Sequence, residues 1–271
     1  MQNTEVTVVI PAGPPSRWPQ LVRAVASARS QTHRPAEVVV VVDHDTAYFR
    51  RVRRDLAGAT VIENGYAPGL AGSRDTGAFH VRTELIAFLG DDVVADPQWL
   101  ARLTHAFTDP AVVGAGGGLH PDWRDGRPRW LADELMWTVA PGAESAGTGV
   151  MVAPGSGTAG MVVQRMVFRE VGGFGRREAS LPMRMRSLSG GRWRHVPDAV
   201  LRHDVPGNAA SFRAFLRRCF RGGRAAVRPM PATVARNVGA AVRGRSVDHA
   251  LRAGGAIAAM AAAGAGAMVR R

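Results

Sequence analysis

Lysine is missing from this chain altogether: all 35 basic residues are arginine. Such one-sided usage reflects genome composition as much as selection for an anionic partner, so the net charge of +13 is weak evidence for nucleic-acid binding. The charge is also uneven. Residues 217–271 hold 11 arginines and one acid, Asp248, a net +10, which leaves +3 for the other 216 residues. Cysteine is almost as scarce: Cys219 alone excludes an intramolecular disulfide, supplies no thiolate cluster for zinc, and makes a reducing compartment the default. The start, "TEVTVVIPAG", lacks a basic segment followed by a long apolar core, so no secretory signal is expected and the domain is expected to face the cytoplasm. No internal repeat is present. Nor does a G.G..G follow the first strand, where "IPAGPPS" has prolines, and this sets aside a dinucleotide oxidoreductase.

What is present is an alternation. "VTVVI" (Val6–Ile10), "EVVVVV" (Glu37–Val42), "ATVIE" (Ala59–Glu63) and "LIAFL" (Leu85–Leu89) are short, β-branched, nearly uninterrupted apolar runs. They read as strands buried on both faces, which requires a parallel sheet. Segments of helical period lie between them, including "WPQLVRAVASARSQ", with Pro19 in its first turn, and "GLAGSRDTGAFHVR". The pattern predicts an α/β, Rossmann-like, mostly parallel wound sheet with helices on both faces, whose ligands bind at the carboxyl ends of the strands. A C-terminal helical extension follows. Domain boundaries are placed at 1–206 for the α/β domain, in two halves over about 1–95 and about 96–206, and at 207–271 for the basic, Ala/Gly-rich tail.

The fourth apolar run ends on two adjacent carboxylates, Asp91 and Asp92. An acid after a strand is ordinarily a helix cap, but Asp96 is expected to fill that role ahead of "PQWLARLTHAF", with Pro97 in the first turn. Asp91 and Asp92 are therefore left over. Like charges this close repel unless a cation or donor groups lie between them. Two readings stand: a solvated loop, or a site for a hard divalent ion such as Mg2+ or Mn2+ that keeps open positions for phosphates.

Six segments in order, "VTVVIPA", "QTHRPAEVVVVVD", "GLAGSRDTG", "IAFLGDDVVADPQWL", "VFREVGGF" and "PDAVLRHDVP", resemble the glycosyltransferase family 2 pattern, whose members have the GT-A fold. Together they span about three quarters of the chain. The resemblance implies a metal-dependent, inverting transferase using a nucleotide-diphosphate sugar, with Mg2+ or Mn2+ as cofactor and an acceptor that is lipid-linked or a glycan. It implies that Pro11 and Asp43 line the nucleotide site, Asp43 as the base contact, and that Arg74 lies near the nucleotide, with Asp75 where the family often has Asn. Asp91 and Asp92 stand where the family has its DxD-type motif: Asp91 would reach the ribose or metal, Asp92 the metal directly. His203 resembles a late His that approaches the metal or diphosphate.

Departures from the pattern bear on chemistry. Gly90 stands where the family usually has an acid. The acidic block expected after "GGF" reads "GRREAS", with Arg177 and Ser180 in acidic places, so Glu178 alone remains as the implied catalytic base. A carboxylate at a helix N-terminus is its alternative role. Catalytically impaired relatives that bind nucleotide sugar as a scaffold are the second functional class this block allows. "GGRWRH" has the RW of processive synthases but lacks the Gln three residues before Arg192, favouring one-sugar transfer. In the tail, the 17-residue run Ala253–Val269 is uncharged. It touches the lower limit for crossing a bilayer, about 17 to 25 residues, but is mostly Ala and Gly. The expectation is a helix packed on its own domain or peripheral at the inner face of the plasma membrane, with the Arg-rich segment drawn to anionic lipid and no nucleic-acid partner. Arg202, Arg217 and Arg218 are candidates for added positive charge near the diphosphate.

Overall fold

The structure is a computed structural model in which residues 4–123, 125–138, 160–175, 181–205, 211–222, 230–244 and 246–269 are described. The predicted strands form as β1 (Val6–Ala12), β2 (Glu37–Val42), β3 (Thr60–Glu63) and β4 (Leu85–Leu89). β1 pairs in parallel with β2 and with β4, and β2 with β3. All residues of β1 and β4 are buried, as strands covered on both faces must be. Three helices make the crossovers: α1 (Trp18–Arg29), α2 (Thr46–Asp55) and α3 (Leu70–His80). Pro19 sits in the first turn of α1, and Asp45 caps α2 by accepting from Tyr48 N at 2.8 Å.

The remaining strands are β5 (Val93–Ala95), β6 (Val112–Trp123), β7 (Gly160–Gln164) and β8 (Arg192–Val205), and the eight-stranded order is β3-β2-β1-β4-β7-β6-β8-β5. β7 runs antiparallel to both β4 and β6, and β8 antiparallel to β5, so a parallel half over β1 to β4 continues into antiparallel pairings and the sheet as a whole is mixed. Trp193, the Trp of the "RW" pair, lies on β8 rather than on a helix. Gly114 of β6 is glycine because its Cβ would lie 2.2 Å from the Trp193 ring.

Short helices α4 (Trp99–His105), α5 (Arg165–Glu170) and α6 (Leu181–Ser189) complete this half. Helix α4 starts at Trp99, later than the sequence suggested; Asp96 instead closes a turn in which its Oδ1 accepts from Gln98 N at 3.1 Å. α5 is followed by glycines in the left-handed region, Gly172 at φ 75° and Gly173 at φ 74°. The core joins Val9, Val39, Val41, Ile86 and Phe88 of the sheet to Phe168, Phe174 and Met185 from the helical side. Phe88, Phe168 and Phe174 form a triangle with ring centroids 4.9–5.5 Å apart. Each buried Phe of this kind contributes roughly 1.5–3 kcal/mol.

The chain divides into two compact units, Met1–His120 with Val152–His203, and Pro121–Met151 with Asp204–Arg271. The second unit contains α7 (Phe212–Gly222), α8 (Met230–Gly244) and α9 (Val247–Val269). Ala253, Ala256, Ala259 and Ala263 are buried along one face of α9, which packs on α7 and α8. Trp130, from the "PRWL" element, seats its ring 5.0 Å from Phe212 and 4.8 Å from Phe215. Cys219 is fully buried on α7, and burial pushes its thiol up to about 11, which favours the protonated, unreactive form. Among the described residues no helix is long and apolar enough to cross a membrane.

The end of β5 and the turn that follows it, just beyond Asp91 and Asp92, are held by buried polar groups on α1 and past its end. Ser27 Oγ accepts from Ala95 N at 3.1 Å. Gln31 donates Nε2 to Asp96 O at 2.9 Å and accepts from Leu100 N at 2.8 Å. Replacing Gln31 by Leu strands both backbone groups, and urea unfolding of Gln31→Leu is expected to show a loss of about 2–4 kcal/mol; a change under about 0.5 kcal/mol would mean the network does not brace this turn.

Candidate active site

The carboxyl ends of β3, β2, β1 and β4 stand side by side, and each ends in a polar feature: Asn64, Asp43, Gly13 and the Asp91–Asp92 turn. A crevice outside these ends is where a wound sheet binds ligands.

Arg17 stands between the paired carboxylates. Its Nη1 lies 3.3 Å from Asp91 Oδ1 and 3.1 Å from Asp92 Oδ2. Asp91 Oδ2 also accepts from Gly13 N at 3.1 Å, and a Cβ at position 13 would fall 2.2 Å from that oxygen, so any larger residue there would push the Asp91 carboxylate aside. On the other flank His203 Nε2 lies 3.4 Å from Asp92 Oδ2. The register Val93↔His203 between β5 and β8 brings them together. The His203 Nδ1 is buried and accepts nothing among the described residues.

The two carboxyls respond in opposite directions. Burial raises Asp91 above the ordinary 3.8, the neighbouring Asp92 charge adds to this, and Arg17 and the Gly13 N–H recover only part. Burial pushes Asp92 up as well, but the hydrogen bond and charge of His203, joined by Arg17, outweigh it and hold Asp92 below the usual carboxylate range.

Asp43, at the end of β2, is oriented by two donors, Asn64 Nδ2 at 2.7 Å to Oδ1 and Gly69 N at 2.8 Å to Oδ2. Asn64 is itself saturated: Nδ2 also donates to Ala67 O, and Oδ1 accepts from Tyr66 N and Thr76 Oγ1. The next residue, His44, sits at φ 47° with its Nε2 2.8 Å from Tyr66 O, a backbone cost of order 1–3 kcal/mol stored beside the site. Pro11 is buried in β1 in register with Val41.

The other implied nucleotide residues are occupied in the fold. Arg74 is 3% exposed, with its guanidinium 5.2 Å from the centre of the Phe174 ring. Asp75 accepts from Phe174 N at 2.8 Å and Gly175 N at 3.4 Å. Arg184 of α6 meets the opposite edge of the same turn, donating to the carbonyls of Val171, Gly173 and Phe174 at 2.7–2.9 Å. Glu178 and the 140–158 loop lie outside the described residues, the loop's final residue included. Of the arginines expected near the diphosphate, Arg202 lies on β8 opposite Val94 of β5, while Arg217 and Arg218 belong to α7. Sequence reasoning overlooked Arg17, Asn64 and His44, of which Asn64 had a usable signal in "VIENG", a polar side chain at a strand's carboxyl end.

Among the described residues no three His, Cys, Asp or Glu side chains converge as a complete metal site. The donor set nevertheless fits a hard divalent ion: two carboxylates already gather at one cationic group, Asp92 has an imidazole nitrogen on its other flank, and diphosphate oxygens and water complete such shells.

The chain belongs to glycosyltransferase family 2, whose pattern, described as "Glycosyl transferase family 2", matches residues 7–172. Glucosyl-dolichyl phosphate glucuronosyltransferase of Haloferax volcanii is 31% identical over 176 residues, 63% of this chain and 56% of its own length. Pre-mycofactocin glycosyltransferase of Mycobacterium tuberculosis is 28% identical over 237 residues, 83% of this chain and 47% of its own. The chain spans about half the length of these curated relatives. Among solved structures, the mannosyltransferase PcManGT of Pyrobaculum calidifontis, in complex with GDP-Man and Mn2+, superposes with a TM-score of 0.55 at 18% identity over 97% of this chain and 73% of that one. Glucosyl-3-phosphoglycerate synthase of M. tuberculosis, with Mn2+, UDP and phosphoglyceric acid, gives 0.50 at 18% identity over 80% and 78%. The fold is GT-A.

The raised Asp91 carboxyl makes a stability prediction. A folded-state value above the unfolded one means that ionised Asp91 opposes folding once the pH exceeds it, and that this opposition vanishes as the pH falls below 3.8. Asp91→Asn is therefore expected to raise the Tm of the ligand-free protein at pH 7, with the gap to wild type closing toward pH 4. A lowered Tm at pH 7 would show that the carboxylate stabilises the turn.

Proposed function

We propose that the chain transfers a single sugar from a nucleotide-diphosphate sugar to a hydroxyl or phosphate of a lipid-linked or glycan acceptor, with inversion and with a divalent cation. The observation that carries this reading is the Asp91–Asp92 pair at the end of β4, gathered around one positive group and two strands from the oriented Asp43. Support comes from the family's chemistry, from a relative named for glucosyl-dolichyl phosphate, and from GT-A neighbours solved with nucleotide ligands and Mn2+.

The roles divide along the strand ends. Asp43 meets the base, Asp91 the ribose or metal, and Asp92 with His203 the metal; Pro11 lines the nucleotide site, and Arg74 and Asp75 shape its α3 side. Mg2+ or Mn2+ bound there neutralises charge on the departing diphosphate as a Lewis acid. Glu178 takes the proton of the acceptor hydroxyl, whose oxygen attacks the anomeric carbon from the face opposite the diphosphate. The anomeric C–O bond to phosphate breaks, and the nucleoside diphosphate leaves with the electron pair. With Trp193 built into β8 against Gly114, the RW pair is part of the sheet, in keeping with transfer of one sugar.

A panel of UDP- and GDP-sugars with Mg2+ or Mn2+ tests the reading through release of nucleoside diphosphate. Asp92→Ala is expected to abolish cation-dependent release, and Glu178→Gln to lower turnover about 10²–10⁴-fold while keeping nucleotide affinity. Cation-dependent nucleotide binding with no turnover on any acceptor would favour the scaffold alternative.

We also place the protein peripherally at the cytoplasmic membrane face, through the basic tail. On α7, exposed Phe212 and Phe220 flank exposed Arg213 and Arg217, a pairing suited to anionic headgroups. Flotation should recover the protein with vesicles containing anionic lipid and not with zwitterionic ones, and Arg213→Ala/Arg217→Ala should weaken recovery; equal recovery on both vesicle types would remove this placement.

A further inference from the structure

Arg17 has no counterpart in the roles above, yet it makes the contacts on which the carboxylate pair depends. It ends the short 3-10 turn Pro15–Arg17 that leaves β1, anchored by its own N–H to Pro14 O at 2.8 Å. Its guanidinium offers five donors in a rigid fork, but a single nitrogen, Nη1, reaches both Asp91 and Asp92. The side chain is 46% exposed. A monodentate, half-solvated contact of this kind is a weak hold, whereas the same fork matches phosphate oxygens in a bidentate manner.

Position matters as much as strength. β1 lies between β2 and β4, so Arg17 is rooted between Asp43 on one side and Asp91–Asp92 on the other. Neighbouring strands are about 4.8 Å apart, so those two landmarks are separated by about 10 Å, and a nucleotide whose base is held at one and whose cation is held at the other lays its diphosphate across the end of β1. A guanidinium and a divalent cation cannot both crowd Asp92 Oδ2, because their like charges repel at such distances.

We propose that Arg17 is an exchangeable counter-ion: it neutralises the Asp91–Asp92 pair when no divalent cation is bound, yields that place to the entering cation, and turns its fork onto the diphosphate of the nucleotide. The inference rests on the metal-dependent nucleotide-sugar reading. It makes cation and nucleotide bind cooperatively, since each favours the arrangement in which Arg17 has left the carboxylates.

The test is to measure the Kd of Mn2+ alone, and of UDP and GDP at saturating Mn2+, for wild type, Arg17→Ala, Arg17→Lys and Asp92→Ala. Removing Arg17 is expected to move the two constants in opposite directions: Mn2+ alone binds three- to tenfold tighter, and the preferred nucleotide three- to tenfold weaker. Arg17→Lys falls between, keeping charge but not the fork. Mn2+ affinity unchanged or weakened in Arg17→Ala, or undiminished nucleotide affinity, overturns the exchange while leaving the metal reading intact, provided that Asp92→Ala still loses Mn2+. If no variant binds Mn2+ with or without nucleotide, the metal reading falls and the exchange falls with it. Arg17 is a surface residue, and an unchanged far-UV CD spectrum of Arg17→Ala keeps misfolding from mimicking either result.

Discussion

Two carboxylates on consecutive residues at the end of a buried strand are an electrostatic problem that the surrounding structure has to solve. The solution draws on three separate stretches of chain. Gly13 gives a backbone N–H, Arg17 a positive charge, and His203, from a strand more than a hundred residues later, an imidazole nitrogen. The compensation is unequal: Asp91 remains reluctant to ionise and Asp92 does not. That asymmetry separates a carboxylate kept charged, the form a hard cation wants, from one whose charge the protein only partly supports.

The scaffold serves this arrangement by keeping the turn still. β1 and β4 are covered on both faces, and Ser27 of α1 with Gln31 just past its end holds the backbone from Ala95 to Leu100. A similar economy operates at the Gly173–Gly175 turn, where Asp75 takes backbone N–H groups and Arg184 takes carbonyls. Side chains that family resemblance assigns to the nucleotide's neighbourhood thus also brace the fold. Their removal would disturb geometry and binding together.

Much of this was legible in the sequence for a physical reason. A strand buried on both faces announces itself as an unbroken apolar run, so β1, β2 and β4 were readable, and a pair of charges abutting such a run had to mean something. Arg17 was not readable, because an arginine in a Pro-rich turn looks like any solvated cation until a contact 74 residues away in sequence is known. Asn64 was hidden for a related reason: its importance lies in satisfying Asp43, a pairing set by the β2–β3 register. β5 and β8 escaped because one is three residues long and the other alternates irregularly between exposed and buried positions. In β6 the pairing partner was the hidden part: Gly114 is a strand residue whose missing Cβ leaves room for the ring of Trp193.

The vacancy at Gly13 has an evolutionary corollary. Because the space that a methyl group would need is filled by a carboxylate oxygen, the first strand and the acidic turn cannot drift independently. A lineage that let any larger residue into position 13 would displace the Asp91 carboxylate before it touched Asp92, and would arrive at a single-acid site without any change to the acidic turn itself.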